Sequence, residues 1–123
     1  MSMTIRTFED LVVWQKAIEF VKEVYLLTQQ GELKRDFALR DQMRRAALSI
    51  PTNIAEGFDR TSRKEYLLFL NIPKGSAGEM RSLIRVALEV GFLETDTHDR
   101  LRNSAMTLSR FLSNQMKSIR NAG

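Results

Sequence analysis

The chain has 123 residues, of which 43% are hydrophobic and 28% are charged, and its formal net charge is +4. This length allows one domain with a real core and excludes two. The absence of cysteine excludes disulfides and thiolate metal sites, and no apolar run reaches the roughly 18 residues that a membrane-spanning helix needs.

The first predicted helix covers about residues 8–29. Thr7, with Asp10 three residues later, is typical of a capping box, and Gly31 is expected to stop the helix. The segment before Thr7 contains no apolar signal-peptide core. We therefore expect a cytoplasmic protein.

Two apolar seams follow this helix, about 120° apart at roughly 100° per residue. A helix at the edge of a monomeric bundle needs only one stripe, so two seams indicate burial against the core on one side and against a second subunit on the other. A broad core face covered by the chain's own loops is the alternative. The first seam contains Leu11, Trp14, Ile18, Val21 and Tyr25. The spacing does not decide which seam faces the core, and we assign the second to the oligomer interface: Val13, Ala17, Phe20, Val24 and Leu27.

A polar connection over residues 31–36 leads to the second helix, predicted over residues 37–56. Asp36 is placed to cap its first turn. Pro51 cannot donate a backbone hydrogen bond, which predicts a kink about one turn earlier. Gly57 is expected to end this helix in the left-handed conformation.

The third helix is predicted over residues 63–90, between a Ser62–Glu65 capping box and Gly91. Its middle, NIPKGSAGEM, could instead be a loop between two short helices, because proline costs about 3 kcal/mol and glycine about 1 kcal/mol inside a helix. We favour one continuous helix, kinked near Pro73, whose small residues let a neighbour approach closely.

The fourth helix, predicted over residues 97–120 with Asp96 as its cap, combines a core stripe with a basic face. No acidic residue follows Asp99. A basic face favours an anionic partner such as RNA, DNA or an acidic protein surface, and a solvated helix face is the alternative. The cations fall within an arc of about 80°: Arg102, Arg110, Lys117 and Arg120.

No strand pattern occurs, so four helices with short connections predict an all-α fold, an antiparallel up-down-up-down four-helix bundle. His98 is the single histidine, and we expect it at a solvated helix terminus. The sequence contains no nucleophile–base set and no phosphate-binding loop. We therefore predict no enzyme activity, no cofactor, no metal and no small-molecule substrate.

Asn53 and Glu56 are the unusual polar residues of the second helix, among small and aliphatic neighbours. They lie about one turn apart on one face. We interpret them as a structural polar tie. A buried anion near a helix C-terminus needs a cation, so we expect Glu56 to pair with Arg60, Arg63 or a basic residue of another helix.

Three segments carry a family resemblance: FEDLVVWQKA in the first helix, DQMRRAALSIPTNIAEG in the second, and SRKEYLLFLNI with GSAGE in the third. They resemble the four-helix bundle family named after the 23S ribosomal RNA intervening-sequence protein, over roughly residues 8–120. The resemblance implies a cytosolic bacterial bundle that assembles into a homopentamer, with RNA or ribosome association as the suggested role. The family usually carries alanine where this chain has Pro73, which is why we expect a kink here.

We therefore predict a non-enzymatic oligomer that associates with RNA or the ribosome through the basic face of the fourth helix. The alternative is an interaction scaffold that binds a protein partner rather than nucleic acid. Substitution of the four cations separates these hypotheses, because RNA affinity should collapse under the first and barely change under the second.

Overall fold

All regular secondary structure is helical in the part of the chain that this computed structural model describes, residues 4–122. Within that range it contains five α-helices, one 3-10 turn and no strand. Four long helices correspond to the four predicted ones, and one short helix is additional. The elements are the 3-10 turn Phe8–Asp10, α1 (Val12–Thr28), α2 (Gly31–Arg35), α3 (Phe37–Phe58), α4 (Arg63–Glu89) and α5 (Thr95–Asn121).

The predicted first helix is interrupted near its start. Phe8–Asp10 forms a 3-10 turn, the next residue is extended, and α1 begins at Val12. The Asp10 carboxylate accepts hydrogen bonds from the backbone N–H of Arg6 at 2.9 Å and of Thr7 at 3.1 Å. These bonds lower the pKa of Asp10, because they favour the charged form. The carboxylate of the predicted capping box therefore closes the 3-10 turn rather than α1.

The connection over residues 31–36 is not merely a polar loop, because Gly31–Arg35 forms the short helix α2. Gly31 has φ +60°, a left-handed conformation that favours glycine. Leu33 is buried and joins the core, which anchors the connection. Asp36 caps α3 as predicted, with Oδ1 accepting from the Leu39 N–H at 3.0 Å.

Gly57 does not end α3, contrary to the sequence prediction. The helix continues to Phe58, and Gly57 is buried without a positive φ. A Cβ atom at this position would lie 2.8 Å from the Cβ of Phe69 and 3.2 Å from Cδ1 of Tyr66, both on α4. The missing side chain is what allows α3 and α4 to approach so closely here.

The helix α4 is continuous through Pro73 and the glycines that follow it, so the two-helix alternative is wrong. At its start, Ser62 Oγ accepts from the Glu65 N–H at 3.0 Å. At its end, Gly91 has φ +83° and its N–H donates to the Leu88 carbonyl at 3.0 Å. This is the left-handed ending that the sequence predicts.

The last helix, α5, begins earlier than predicted. Glu94 precedes it without a side-chain capping bond, and Asp96 lies inside the first turn rather than capping it. His98 is not solvated, since it is 6% exposed and its Nδ1 lies 2.9 Å from Asp99 Oδ1. Position 98 lies one turn before Leu101, on the helix face that is directed at the core.

The long helices pack side by side around one core. Helix α1 contacts α3 and α5, and α4 contacts the same two helices. Aliphatic side chains and methionines from all five α-helices fill the core, and Pro51 and Pro73 are buried as well. Among residues 4–122, no helix has the length and apolar character that crossing a membrane requires.

Gly57→Ala should destabilise the fold by about 1–3 kcal/mol, because the added methyl group overpacks the contact with Phe69. Gly78→Ala is the matched control, since nothing lies within 4 Å of a Cβ placed there. This control should stabilise α4 by about 0.5–1 kcal/mol. Urea unfolding followed by circular dichroism measures both changes. A Gly57→Ala midpoint at or above that of the wild type would contradict the close contact.

Candidate nucleic-acid interface

The four cations predicted on the last helix all lie at the surface of α5. The opposite face of α5 is buried and includes Leu101, Leu108 and Leu112. At a rise of 1.5 Å per residue, the first and last of the cations are separated by about 27 Å along the helix axis. They therefore form a strip rather than a compact cluster. The exposed residues are Arg102, Arg110, Lys117 and Arg120.

These cations are not neutralised by neighbouring acids. None of the ion pairs found between residues 4 and 122 involves them. Arg110 makes one long hydrogen bond, at 3.4 Å, to the Thr107 hydroxyl. By contrast Arg100, on another side of α5, pairs with Glu23 of α1 at 2.6 Å. The strip thus retains its positive charge for an anionic partner.

The start of α4 adds cations that sequence reasoning missed. An open groove of about 500 Å³ lies between the start of α4 and the end of α5. Arg63 and Lys64 line it together with Arg120, around an apolar floor that includes Leu67. The sequence could have indicated that these cations lie near Arg120, because in an up-down bundle the start of the third long helix lies next to the end of the fourth.

A partly buried tyrosine holds these two helix ends together. Gln115 Nε2 of α5 donates to the hydroxyl oxygen of Tyr66 on α4 at 3.2 Å. Burial raises the pKa of Tyr66, because it disfavours the phenolate. The phenol therefore stays neutral and keeps the register of α4 against α5 near the groove.

The seam assigned to the oligomer interface is instead part of the core of the single chain. Val13, Ala17, Phe20 and Val24 are each at most 3% exposed, and Leu27 is partly buried against the core. The two seams have the same period, so the sequence pattern could not distinguish them. The assignment of these five residues to an intersubunit surface is therefore wrong.

Two other apolar surfaces are only partly covered within the single chain. The first, which we call the outer α1 seam, is half-buried and contains Trp14, Ile18, Val21 and Tyr25. Phe8 packs edge-on against Trp14, and the Arg44 guanidinium lies 4.5 Å from the centre of the Tyr25 ring. The second, which we call the outer α4 stripe, falls within an arc of about 40° on that helix. Its members are all exposed: Leu68, Ile72, Val86 and Val90.

The polar tie around Asn53 is real, but Glu56 contributes little to it. Asn53 Nδ2 donates to the Ser49 carbonyl at 2.8 Å and to Ser49 Oγ at 3.1 Å. Ser76 Oγ of α4 donates to the same hydroxyl at 2.8 Å. Glu56 pairs with Arg60, as expected, but at 3.7 Å and with 57% of its side chain exposed. Ser49, which the sequence did not single out, is therefore the centre of the tie between α3 and α4.

Glu56→Gln should lower the free energy of unfolding by less than about 0.5 kcal/mol, because exposed pairs one turn apart contribute little. Ser49→Ala should cost about 1–3 kcal/mol, since it removes the acceptor that Asn53 and Ser76 share. Chemical denaturation of the two variants side by side provides the comparison. A larger loss for Glu56→Gln than for Ser49→Ala would reverse this assignment.

Comparison with known proteins identifies relatives of the chain. Residues 9–114 match the family model described as 23S rRNA-intervening sequence protein, which confirms the resemblance in the sequence. A crystal structure of a protein of unknown function, from the S23 ribosomal protein family of Bacteroides thetaiotaomicron, is similar with a TM-score of 0.79. The two sequences are 23% identical over 86% of this chain and 99% of that chain, so the likeness shows a shared fold. No protein of curated function matches.

Proposed function

Since the chain belongs to the 23S rRNA-intervening sequence protein family, we propose that it is a non-enzymatic, oligomeric, cytoplasmic protein that associates with RNA or with the ribosome. The observation that carries the proposal is the exposed cationic strip of α5, which has no acidic partner among the described residues. Phosphate contacts supply most of the affinity of sequence-independent nucleic-acid binding. The strip therefore suits an RNA backbone.

Assembly would strengthen this interaction without any new contact. A single strip of four cations gives weak binding at physiological salt, because counterions compete for the phosphates. Copies of the strip in one oligomer bind an RNA with a high effective concentration. We infer a homopentamer, following the family resemblance, in which each subunit presents its α5 strip outward.

Two partly exposed apolar surfaces support a ring. Cyclic assemblies larger than dimers use two different surfaces on each subunit, one against each neighbour. The outer α1 seam and the outer α4 stripe are two such surfaces, on different helices of the same chain. We propose that the seam of one subunit packs against the stripe of the next.

We further infer that α1, α3, α4 and α5 form the antiparallel up-down-up-down bundle. In such a bundle each helix contacts two neighbours, as α1 and α4 do with α3 and α5. The groove that Arg63 and Arg120 line supports opposite directions for α4 and α5. The kink near Pro73 is part of this proposal, because proline leaves the Phe69 carbonyl without its usual backbone donor.

RNA binding can be measured by fluorescence anisotropy with a labelled structured RNA at about 50 mM and about 200 mM salt. Four phosphate contacts imply that affinity falls by about 100-fold over this range. Replacing all four α5 cations by glutamine should abolish binding at the higher salt, because each lost contact removes one released counterion. The variant is Arg102→Gln, Arg110→Gln, Lys117→Gln and Arg120→Gln.

A charge-matched control distinguishes this strip from net charge alone. Four exposed cations on other helices serve for it, and their replacement by glutamine should leave most of the affinity intact: Lys16, Lys22, Lys34 and Arg45. Equal losses in the two variants, or no binding of the wild type at the lower salt, would refute the proposed site. The second result would favour a protein partner for the oligomer.

Assembly can be measured by light scattering coupled to size exclusion. The wild type should have about five times the 14.2 kDa mass of one chain. Ile72→Glu with Val86→Glu should give a folded monomer, because both side chains are exposed in the single chain but would place charges in an apolar interface.

Leu26→Glu is the matched control for assembly. Leu26 is 59% exposed but lies outside the seam and the stripe, at a polar groove beside Glu23 and Arg100. This variant should keep the wild-type mass. A wild type that elutes as a monomer, or a stripe variant that keeps the full mass, would contradict the proposed ring.

A further inference from the structure

We propose that α4 and α5 together form a surface with two rows of cations that binds the paired backbones of a nucleic-acid duplex rather than an unpaired strand. This inference rests on the nucleic-acid association proposed above and specifies its ligand. It also assigns Lys74 and Arg81 of α4 to the site, two residues that the α5 strip does not include.

The row on α4 has the same form as the strip on α5. Arg63, Lys74 and Arg81 are exposed, and at about 100° per residue they fall within an arc of about 20°. The same arithmetic places them about 140° from the outer α4 stripe. Arg85 continues the row in sequence, but Glu89 neutralises it at 3.0 Å. The α4 row therefore ends at Arg81.

The two rows are matched in length and run side by side. They start together, because Arg63 and Arg120 line the same groove. The other ends of the helices are joined by the short turn after Glu89, so α4 and α5 run side by side from the groove to that turn. Arg81 lies 18 residues beyond Arg63, and Arg102 lies 18 residues before Arg120. Each row is therefore about 27 Å long.

The cations of the α4 row and those of the α5 strip also have similar spacings along their helices. Lys74 lies 11 residues from the groove end of its row, and Arg110 lies 10 residues from the end of the other. The rows consequently place cations opposite one another at three levels: at the groove, at Lys74 with Arg110, and at Arg81 with Arg102. Packed helices have axes about 8–10 Å apart, which sets the separation of the rows.

Acidic side chains of α4 are directed elsewhere. Glu79 accepts a hydrogen bond from Gln42 of α3, and Glu89 is paired with Arg85. Glu65 falls about 160° or more from the basic row by helical spacing. No ion pair found in residues 4–122 involves Lys74 or Arg81. Asp99 of α5, one turn before Arg102, lies 2.9 Å from His98 Nδ1. Cations therefore outnumber acidic side chains along both rows.

Among residues 4–122, the aromatic side chains of α4 and α5 are not available for base stacking, which favours a duplex. Proteins that bind unpaired strands combine cations with exposed aromatic side chains on which bases stack. Tyr66 and Phe111 are packed against the core, and Phe69 lies under the Arg60 guanidinium at 4.3 Å. A duplex keeps its bases stacked internally and presents two phosphate backbones. With one phosphate per about 3.4 Å of each strand, a row of this length spans about eight phosphates.

The test compares a mixed-sequence RNA duplex of about 20 base pairs with an oligouridine of about 20 nucleotides, by anisotropy across a salt series. The full-length protein should bind the duplex at least about tenfold more tightly. Lys74→Gln with Arg81→Gln should lower the magnitude of the salt slope for the duplex by about two, since each lost phosphate contact removes about 0.9. Lys22→Gln with Arg45→Gln is the charge-matched control and should leave the slope unchanged.

The possible failures are distinguishable. Equal or tighter binding of oligouridine would overturn the duplex inference and leave RNA association standing. A Lys74→Gln, Arg81→Gln variant with the wild-type slope, while Arg102→Gln with Lys117→Gln lowers it, would confine the site to α5 and overturn the second row. If neither RNA binds at about 50 mM salt, the proposed function fails together with the inference.

Discussion

The close approach of α3 to α4 at Gly57 is the constraint on which the rest of the structure depends. With only a hydrogen in place of a side chain, Gly57 admits Phe69 and Tyr66 against the backbone of α3. The Ser49–Ser76 hydrogen bond repeats the contact farther along the helix pair. These contacts fix the rotation of α4 about its own axis, and that rotation decides which of its faces is buried and which is exposed.

Helix α4 consequently presents three different faces. Leu70, Met80 and Ile84 enter the core, the outer α4 stripe points away from α5, and the basic row lies alongside α5. A helix that served only to complete a monomeric core would need one apolar face. The proposed contacts with a second subunit and with an anionic ligand would account for the apolar surface and the charge that α4 exposes.

Local signals in the sequence predict well where the helices begin and end, but they predict poorly which faces of the helices contact one another. Asp36, Ser62 and Gly91 act at helix ends through backbone atoms a few residues away, so their roles can be inferred from the sequence alone. In the sequence Gly57 also looks like a residue that ends a helix, but its role is decided by its contact with Phe69 of another helix. The two seams of α1 also have one period, and only the packed structure distinguishes the core seam from the outer one.

The sequence predicted only the α5 part of the candidate site, because the α4 part depends on contacts between helices. Four cations on one helix face are visible as a pattern, whereas the cations of α4 join them only once the register of α4 against α5 is known. His98 illustrates a smaller error, because its position one turn before Leu101 places it on the core face of α5 rather than in solvent. Such errors arise wherever contacts between distant segments, rather than local propensity, decide the outcome.

Lysine acetylation footprinting with and without a saturating RNA duplex tests the central claim most directly. The chain provides its own controls, because exposed lysines lie both on the two-row surface and away from it. We expect the duplex to protect Lys74 and Lys117 while Lys16, Lys22 and Lys34 remain reactive. Protection of the α1 and α2 lysines, with Lys74 and Lys117 still modified, would contradict the account.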